Sequence, residues 1–77
     1  PIVDKWYSFG WEVQEIDGHN HQEIFDALNS SITEKPRMII ANTIKGKGVS
    51  FMENNNNWHY RVPTADEVKE AKIELGL

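Results

Sequence analysis

One feature constrains this chain more than any other: the continuous apolar run Met38-Ile39-Ile40-Ala41, extended by Thr43 and Ile44. Its shortness and β-branching predict a strand buried on both faces, as in a parallel sheet. Upstream, Trp11 and Val13 alternate with Glu12 and Gln14 as far as Ile16, which predicts another strand, and Asp17-Gly18 closes it as a turn. Between the two lies the signature of a helix. Asn20 suits its N-cap and Glu23 stands three residues on, the spacing of a capping box. Ile24, Leu28 and Ile32 then form one stripe with Phe25 beside it, which predicts a helix running to about Thr33 before Lys35-Pro36 closes the connection. Strand, helix and strand at this spacing are a βαβ unit, a right-handed crossover between parallel strands in nearly all known cases. The fold class is therefore α/β.

Helical patterns flank the unit. Ile2, Trp6 and Phe9 fall at helical spacing, with Pro1 suited to a first turn and Gly10 to a stop. At the other end, Thr64-Ala65-Asp66-Glu67 predicts a second capping box, and Val68, Ala71 and Leu75 give the following helix an apolar stripe. From Lys45 to about Pro63 the chain is polar and reads as a long loop, with the asparagine run Asn54–Asn57 at its tip. Loops of that length in compact domains are functional or disordered. There are no internal repeats.

Composition narrows the function classes. The formal net charge is −4, and the eight Lys and Arg are interleaved with acids, so non-specific nucleic-acid binding is not expected. No apolar run approaches the roughly 18 residues of a membrane span, and no secretory pattern opens the sequence, so the expected location is the cytoplasm. Cysteine is absent, which removes disulfides and thiolate zinc sites. Three Trp and three Phe are many for 77 residues to cover, and exposed aromatic patches mark interfaces. With Pro1 rather than Met at its start, the sequence reads as part of a larger assembly.

Ligands of open parallel sheets bind beyond the carboxyl ends of the strands. The segment that leaves the Met38–Ile44 strand there is Lys45-Gly46-Lys47-Gly48. Exposed glycine amides together with an ammonium suit a phosphate. The spacing is not that of a P-loop, and a solvated turn accounts for the same residues. His59, between Trp58 and Tyr60, is the other candidate: flanking aromatics are expected to shelter and hold its ring, as a phosphate donor or an acid–base group, or simply as a packed loop histidine. His19 and His21 do not share a helix face and lack a completing ligand, so a zinc site is not expected. Asp17 and His19 instead serve the turn before the helix.

In order, these residues resemble the transketolase family. Ile16-Asp17-Gly18-His19 is similar to the family's IDGHD segment, with Asn20 in place of its last Asp. Lys35-Pro36 and Ile39-Ile40-Ala41-Asn42-Thr43 resemble its KP…IIAxT strand, and Lys45-Gly46-Lys47-Gly48, Met52-Glu53-Asn54 and Trp58-His59 resemble its TxKGKG…EN…WHG segment. Ala65-Asp66-Glu67 through Leu75-Gly76-Leu77 resembles the helix ending the diphosphate-binding domain. The resemblance implies that residues 1–77 are the C-terminal portion of that domain, part of a larger thiamine-diphosphate-binding fold. It implies an enzyme that transfers a two-carbon ketol unit between sugar phosphates, with thiamine diphosphate held through Mg²⁺ or Ca²⁺ as electron sink. The cofactor would lie at a dimer interface, so the remainder of the transketolase and a second protomer are the implied partners. It implies further that Lys45 contacts the cofactor, and that His59 contacts both its diphosphate side and the incoming substrate.

Departures qualify the resemblance. Tyr60 stands where the family has Gly, which bears on the substrate channel. The metal-holding Gly-Asp-Gly…Asn segment, the upstream histidines and the glutamate that activates the aminopyrimidine are not in this sequence, so these residues alone are not expected to hold the cofactor or turn over. Two alternatives remain: a relative with the same cofactor, such as deoxyxylulose-phosphate synthase or a transketolase-like enzyme of unusual-sugar biosynthesis, and a non-catalytic interaction module.

Overall fold

The computed structural model describes residues 1–30 and 33–77. They form two compact units, residues 1–43 and 44–77.

The first unit holds the expected βαβ pattern. Helix α1 spans Ile2–Ser8, strand β1 Glu12–Asp17, helix α2 His21–Leu28 and strand β2 Arg37–Asn42. The two strands pair in parallel, with Glu12 opposite Arg37 and Ile16 opposite Ala41. The turn after β1 passes so close to β2 that a Cβ on Gly18 would lie 2.6 Å from Thr43 Cγ2 and 2.9 Å from the Asn42 carbonyl. Only glycine leaves room for the Gly18 N–H to reach that carbonyl, at 2.7 Å. Asp17 accepts the His19 amide at 2.9 Å, in the turn-closing role its sequence position suggested. Trp6 packs its ring edge-on against Trp11 (centroids 4.8 Å apart) and Phe9 (6.2 Å), which pins α1 to the start of β1.

Several details depart from the sequence pattern. Helix α2 ends at Leu28 rather than near Thr33. The Asn29 side-chain amide donates to the Phe25 carbonyl at 2.8 Å and the Ser30 hydroxyl to the Ala27 carbonyl, so local side chains satisfy the last turn. Ile32, the third member of the expected stripe, lies outside the described residues. The covered face of α2 runs through half-buried Ile24 and fully buried Ala27, while Leu28 and Phe25 are exposed. The α2 capping box is half formed: Asn20 Oδ1 accepts the Glu23 amide at 3.0 Å, but the Glu23 carboxylate accepts from Asp17 N–H, not from the cap residue. Strand β2 is half-buried over Arg37–Ile40 and exposed at Ala41 and Asn42, not buried on both faces. Two strands leave it short of the neighbours a central strand needs, and the helices pack chiefly on β1.

The second unit is a folded loop followed by a helix. Asn56–Trp58 make one turn of 3₁₀-helix, and α3 spans Ala65–Glu74. The expected capping box is complete: Glu67 N–H donates to Thr64 Oγ1 at 3.3 Å, and Thr64 N–H donates to the Glu67 carboxylate at 2.9 Å. The α3 stripe is shallow, with Ala71 half-buried and Val68 and Leu75 exposed. The asparagine run is not a free tip. Asn55 caps the 3₁₀ turn by accepting the Asn57 amide at 3.0 Å, and Asn54 adopts a left-handed conformation (φ 54°).

Among the described residues the buried hydrophobics are Ile16, Ala27 and Val49, and no large side chain is fully buried. Tyr7, Phe9, Phe25 and Tyr60 are exposed, matching the aromatic excess read from composition. No helix among the described residues is long and apolar enough to cross a membrane.

Candidate functional site

Lys45 follows β2 by three residues and opens a tightly closed loop. Successive turns fold it: Lys47 N–H donates to the Ile44 carbonyl at 3.2 Å, Val49 N–H to the Gly46 carbonyl at 3.1 Å, and Met52 and Glu53 N–H groups to the Val49 carbonyl. Val49, 7% exposed, is the apolar anchor of the loop. The returning segment lies directly on the outgoing one. Asn54 N–H donates to the Lys45 carbonyl at 2.9 Å, and a Cβ on Gly46 would lie 2.6 Å from the Met52 carbonyl oxygen. Gly46 also has φ 75°, so a side chain there is excluded both by space and by backbone conformation.

This packing changes what the loop offers an anion. The sequence suggested exposed glycine amides; the amides of Lys47, Gly48 and Val49 are all satisfied internally. The Gly48 amide donates to the Glu53 carboxylate at 3.1 Å. What the loop presents outward is cationic side chains, since Lys45 and Lys47 are both exposed. An ammonium on an ordered loop suits a phosphate as a point charge. The donor set fits an anionic diphosphate through the lysine ammonium groups, the Gly48 amide being already taken by Glu53.

His59 is exposed, contrary to the expected shelter from its neighbours. Trp58 turns its ring to Phe51 (centroids 5.5 Å apart), donates its indole N–H to the Phe51 carbonyl at 3.0 Å, and carries the Arg61 guanidinium 4.3 Å above its face. Tyr60 is 91% exposed and touches His59 edge-on, with centroids 4.4 Å apart. The ring of His59 thus rests on one aromatic neighbour and is open to solvent. It sits directly after the 3₁₀ turn, in helical conformation (φ −65°, ψ −39°), so the Asn55 cap governs its backbone.

Lys45 and His59 belong to the same compact unit. Arg61 was not singled out from sequence, and Glu53 entered there only within the Met52-Glu53-Asn54 motif, without a structural part. Glu53 clasps the Lys45 loop, and Arg61 pairs with Glu67 at 2.8 Å while stacking on Trp58. Their contacts had no periodic signal: an acid five residues from a glycine, and a base six residues from an acid, match no helical or strand period.

Elsewhere, an open depression of about 480 Å³ is lined by Tyr7, Trp11, Glu12, Val13, Thr33, Glu34 and Lys35, at the amino ends of both strands. That is the edge opposite the one where ligands of open parallel sheets bind. Among the described residues no group of three or more His, Asp or Glu stands ready to hold a metal ion.

Comparison with known proteins agrees along the whole length. All of residues 1–77 match the family model described as the transketolase thiamine diphosphate binding domain. The chain is 48% identical over 77 residues to the 6-deoxy-6-sulfo-D-fructose transketolase subunit SqwG of Clostridium sp. (strain MSTE9), and 45% identical over 76 residues to an apulose-4-phosphate transketolase subunit of Actinobacillus succinogenes. Each alignment covers 97% of this chain and 28% of the relative. Human transketolase-like protein 2 is 34% identical over 70 residues, 88% of this chain and 11% of that protein. The chain thus spans little more than a quarter of the bacterial subunits it matches, and it belongs to the transketolase family, matching the thiamine-diphosphate-binding domain.

Proposed function

We propose that this chain supplies one wall of the thiamine-diphosphate site of a transketolase that moves a two-carbon ketol unit between sugar phosphates. The observation that carries the reading is the closed loop 45–54, which holds an exposed Lys45 on an ordered backbone, followed in the same unit by an exposed His59. Thiamine diphosphate, when bound, would supply the electron sink. The part of this chain is to position the cofactor and to offer a proton. Lys45 donates to the diphosphate, and His59 donates on the diphosphate side and toward the incoming sugar phosphate, where its proton is available for transfer.

The rest of the site lies outside these residues. We place residues 1–77 in the C-terminal portion of the domain, with Mg²⁺ and its ligands on the remainder of the enzyme. The thin core and the exposed aromatics support assembly with that remainder and with a second protomer, and they count against an independent interaction module. The chain by itself is inactive in this reading, and the assembled enzyme is cytoplasmic. The two bacterial relatives are named for apulose-4-phosphate and for 6-deoxy-6-sulfo-D-fructose, which favours an enzyme of unusual sugars over a deoxyxylulose-phosphate synthase. Tyr60, nearly fully exposed beside His59, is placed to bear on that choice.

The test is Lys45→Ala and His59→Ala in the complete enzyme. Loss of a charge-assisted hydrogen bond worth about 1.5–3 kcal/mol is expected to weaken cofactor binding by roughly 10- to 100-fold for Lys45→Ala, and to lower turnover for His59→Ala. Unchanged cofactor affinity and unchanged rate in both variants would sink the proposal.

A further inference from the structure

We infer that Glu53 is a positioning residue for Lys45, fixing the backbone from which the lysine reaches the cofactor's diphosphate; the inference rests on the cofactor-contact reading of Lys45. Three observations carry it. First, segments 45–48 and 52–54 are laced face to face, by the Asn54 N–H on the Lys45 carbonyl (2.9 Å) and by the Gly48 N–H on the Glu53 carboxylate (3.1 Å). The second clasp is made by a side chain, so it can be removed by substitution while the backbone hydrogen bond stays. Second, Glu53 is exposed, so burial does not hold it in place, and the hydrogen bond to the Gly48 amide is what orders it. Third, Glu53 is not the salt-bridge partner of either loop lysine: the ion pair among the described residues is Arg61–Glu67. Its carboxylate is directed to backbone and leaves the ammonium groups to an incoming anion.

The electrostatics sharpen the argument. A carboxylate within a few residues of a diphosphate-binding lysine repels the ligand, so the charge of Glu53 works against affinity. Its contribution is therefore geometric, through the acceptor oxygen, and charge and geometry have opposite signs here. Glutamine separates them, because its amide oxygen accepts the Gly48 N–H without the negative charge.

The experiment measures thiamine diphosphate affinity of the complete enzyme by titration for Glu53→Ala, Glu53→Gln, Lys45→Ala and the Glu53→Ala/Lys45→Ala double variant. Glu53→Ala is expected to weaken binding by about tenfold, the scale of one hydrogen bond to a charged group. Glu53→Gln is expected to bind as tightly as the parent or more tightly. The double variant is expected to bind no worse than Lys45→Ala, because Glu53 acts through the lysine, whereas an independent structural loss would multiply the two effects. Should Glu53→Ala not fold, Glu53→Asp, one methylene short of the amide, replaces it with the same expected weakening. Parent-like affinity in Glu53→Ala (or its Asp replacement) alongside a weakened Lys45→Ala overturns the inference, as does multiplicative loss in the double variant or a Glu53→Gln as damaged as the alanine. A Lys45→Ala that binds normally overturns the reading of Lys45 itself, and this inference with it.

Discussion

Residues 1–43 and residues 44–77 are similar in size but are held together differently. The first unit is bound by a ladder of parallel strands with a helix crossing between them, and its buried side chains, Ile16 and Ala27, come from regular elements. The second has one helix of its own and a loop whose order comes from individual clasps: Glu53 on Gly48, Asn55 on Asn57, the Trp58 indole on Phe51, and the Ser50 amide on Glu74 at 3.0 Å. The residues read as meeting a cofactor, Lys45 and His59, both lie in the second kind of structure. Periodic burial makes a scaffold that tolerates surface change, whereas a clasped loop fixes a few side chains at the risk of losing them to single substitutions.

The largest test of that contrast deletes one buried side chain from each unit. Ile16→Ala removes the main aliphatic anchor of β1 and is expected to destabilise its unit by about 2–5 kcal/mol. Val49→Ala removes the equivalent of two methylenes and is expected to cost about 1.6 kcal/mol. Native-state amide exchange on the complete enzyme reads both at once. Ile16→Ala should speed exchange along β1 and β2, and Val49→Ala should speed it at Met52 and Glu53, whose N–H groups donate to the Val49 carbonyl. Equal acceleration of both regions by either change would erase the distinction.

The same contrast explains what the sequence disclosed. The βαβ order, the parallel pairing and both N-caps were legible because each depends on a short-range pattern: alternation at Trp11–Ile16, an apolar run at Met38–Ala41, and capping side chains at Asn20 and Thr64. The extent of burial was not legible, because coverage depends on neighbours, and β2 and Leu28 lack them here. Nor was the interior of the loop. Lys45 and His59 stood out as residue types, but the closure of Gly46 onto Met52, the capture of the Gly48 amide and the turning of Trp58 toward Phe51 are contacts at irregular separations that no period announces. That Glu53 takes the Gly48 amide, one of the two glycine amides of the motif, was hidden for that reason.

Capping substitutions give a smaller and more even effect across the two units. Asn20→Ala and Thr64→Ala each remove an acceptor for an N3 amide, at about 1 kcal/mol. Glu67→Ala is expected to fray its helix start more than Glu23→Ala does, since the Glu67 carboxylate closes the α3 box on the Thr64 amide while in α2 the Glu23 carboxylate serves Asp17 instead. Exchange of the first-turn amides of each helix is the measurement, and the reverse order would mean that the second arm of the box adds nothing.

The smallest effect is electrostatic and belongs to α3 alone. The Thr64 backbone amide holds the Glu67 carboxyl below the usual glutamate range; desolvation pushes the other way, and the Thr64 hydroxyl and the Arg61 guanidinium add to the lowering. A carboxyl with a depressed folded pKa stabilises the folded state above its unfolded value, about 4.3, and the stabilisation fades as pH falls through the folded value. The α3 N-terminus should therefore be insensitive to pH near neutrality and fray only in acid. A ¹³C titration of the Glu67 carboxyl should give a midpoint below that of an unhindered glutamate. Arg61→Ala should move it upward but not all the way, because the Thr64 amide is the leading cause. A midpoint that returns fully to the ordinary range in Arg61→Ala would instead make the ion pair, at 2.8 Å, the dominant partner and the capping box a bystander.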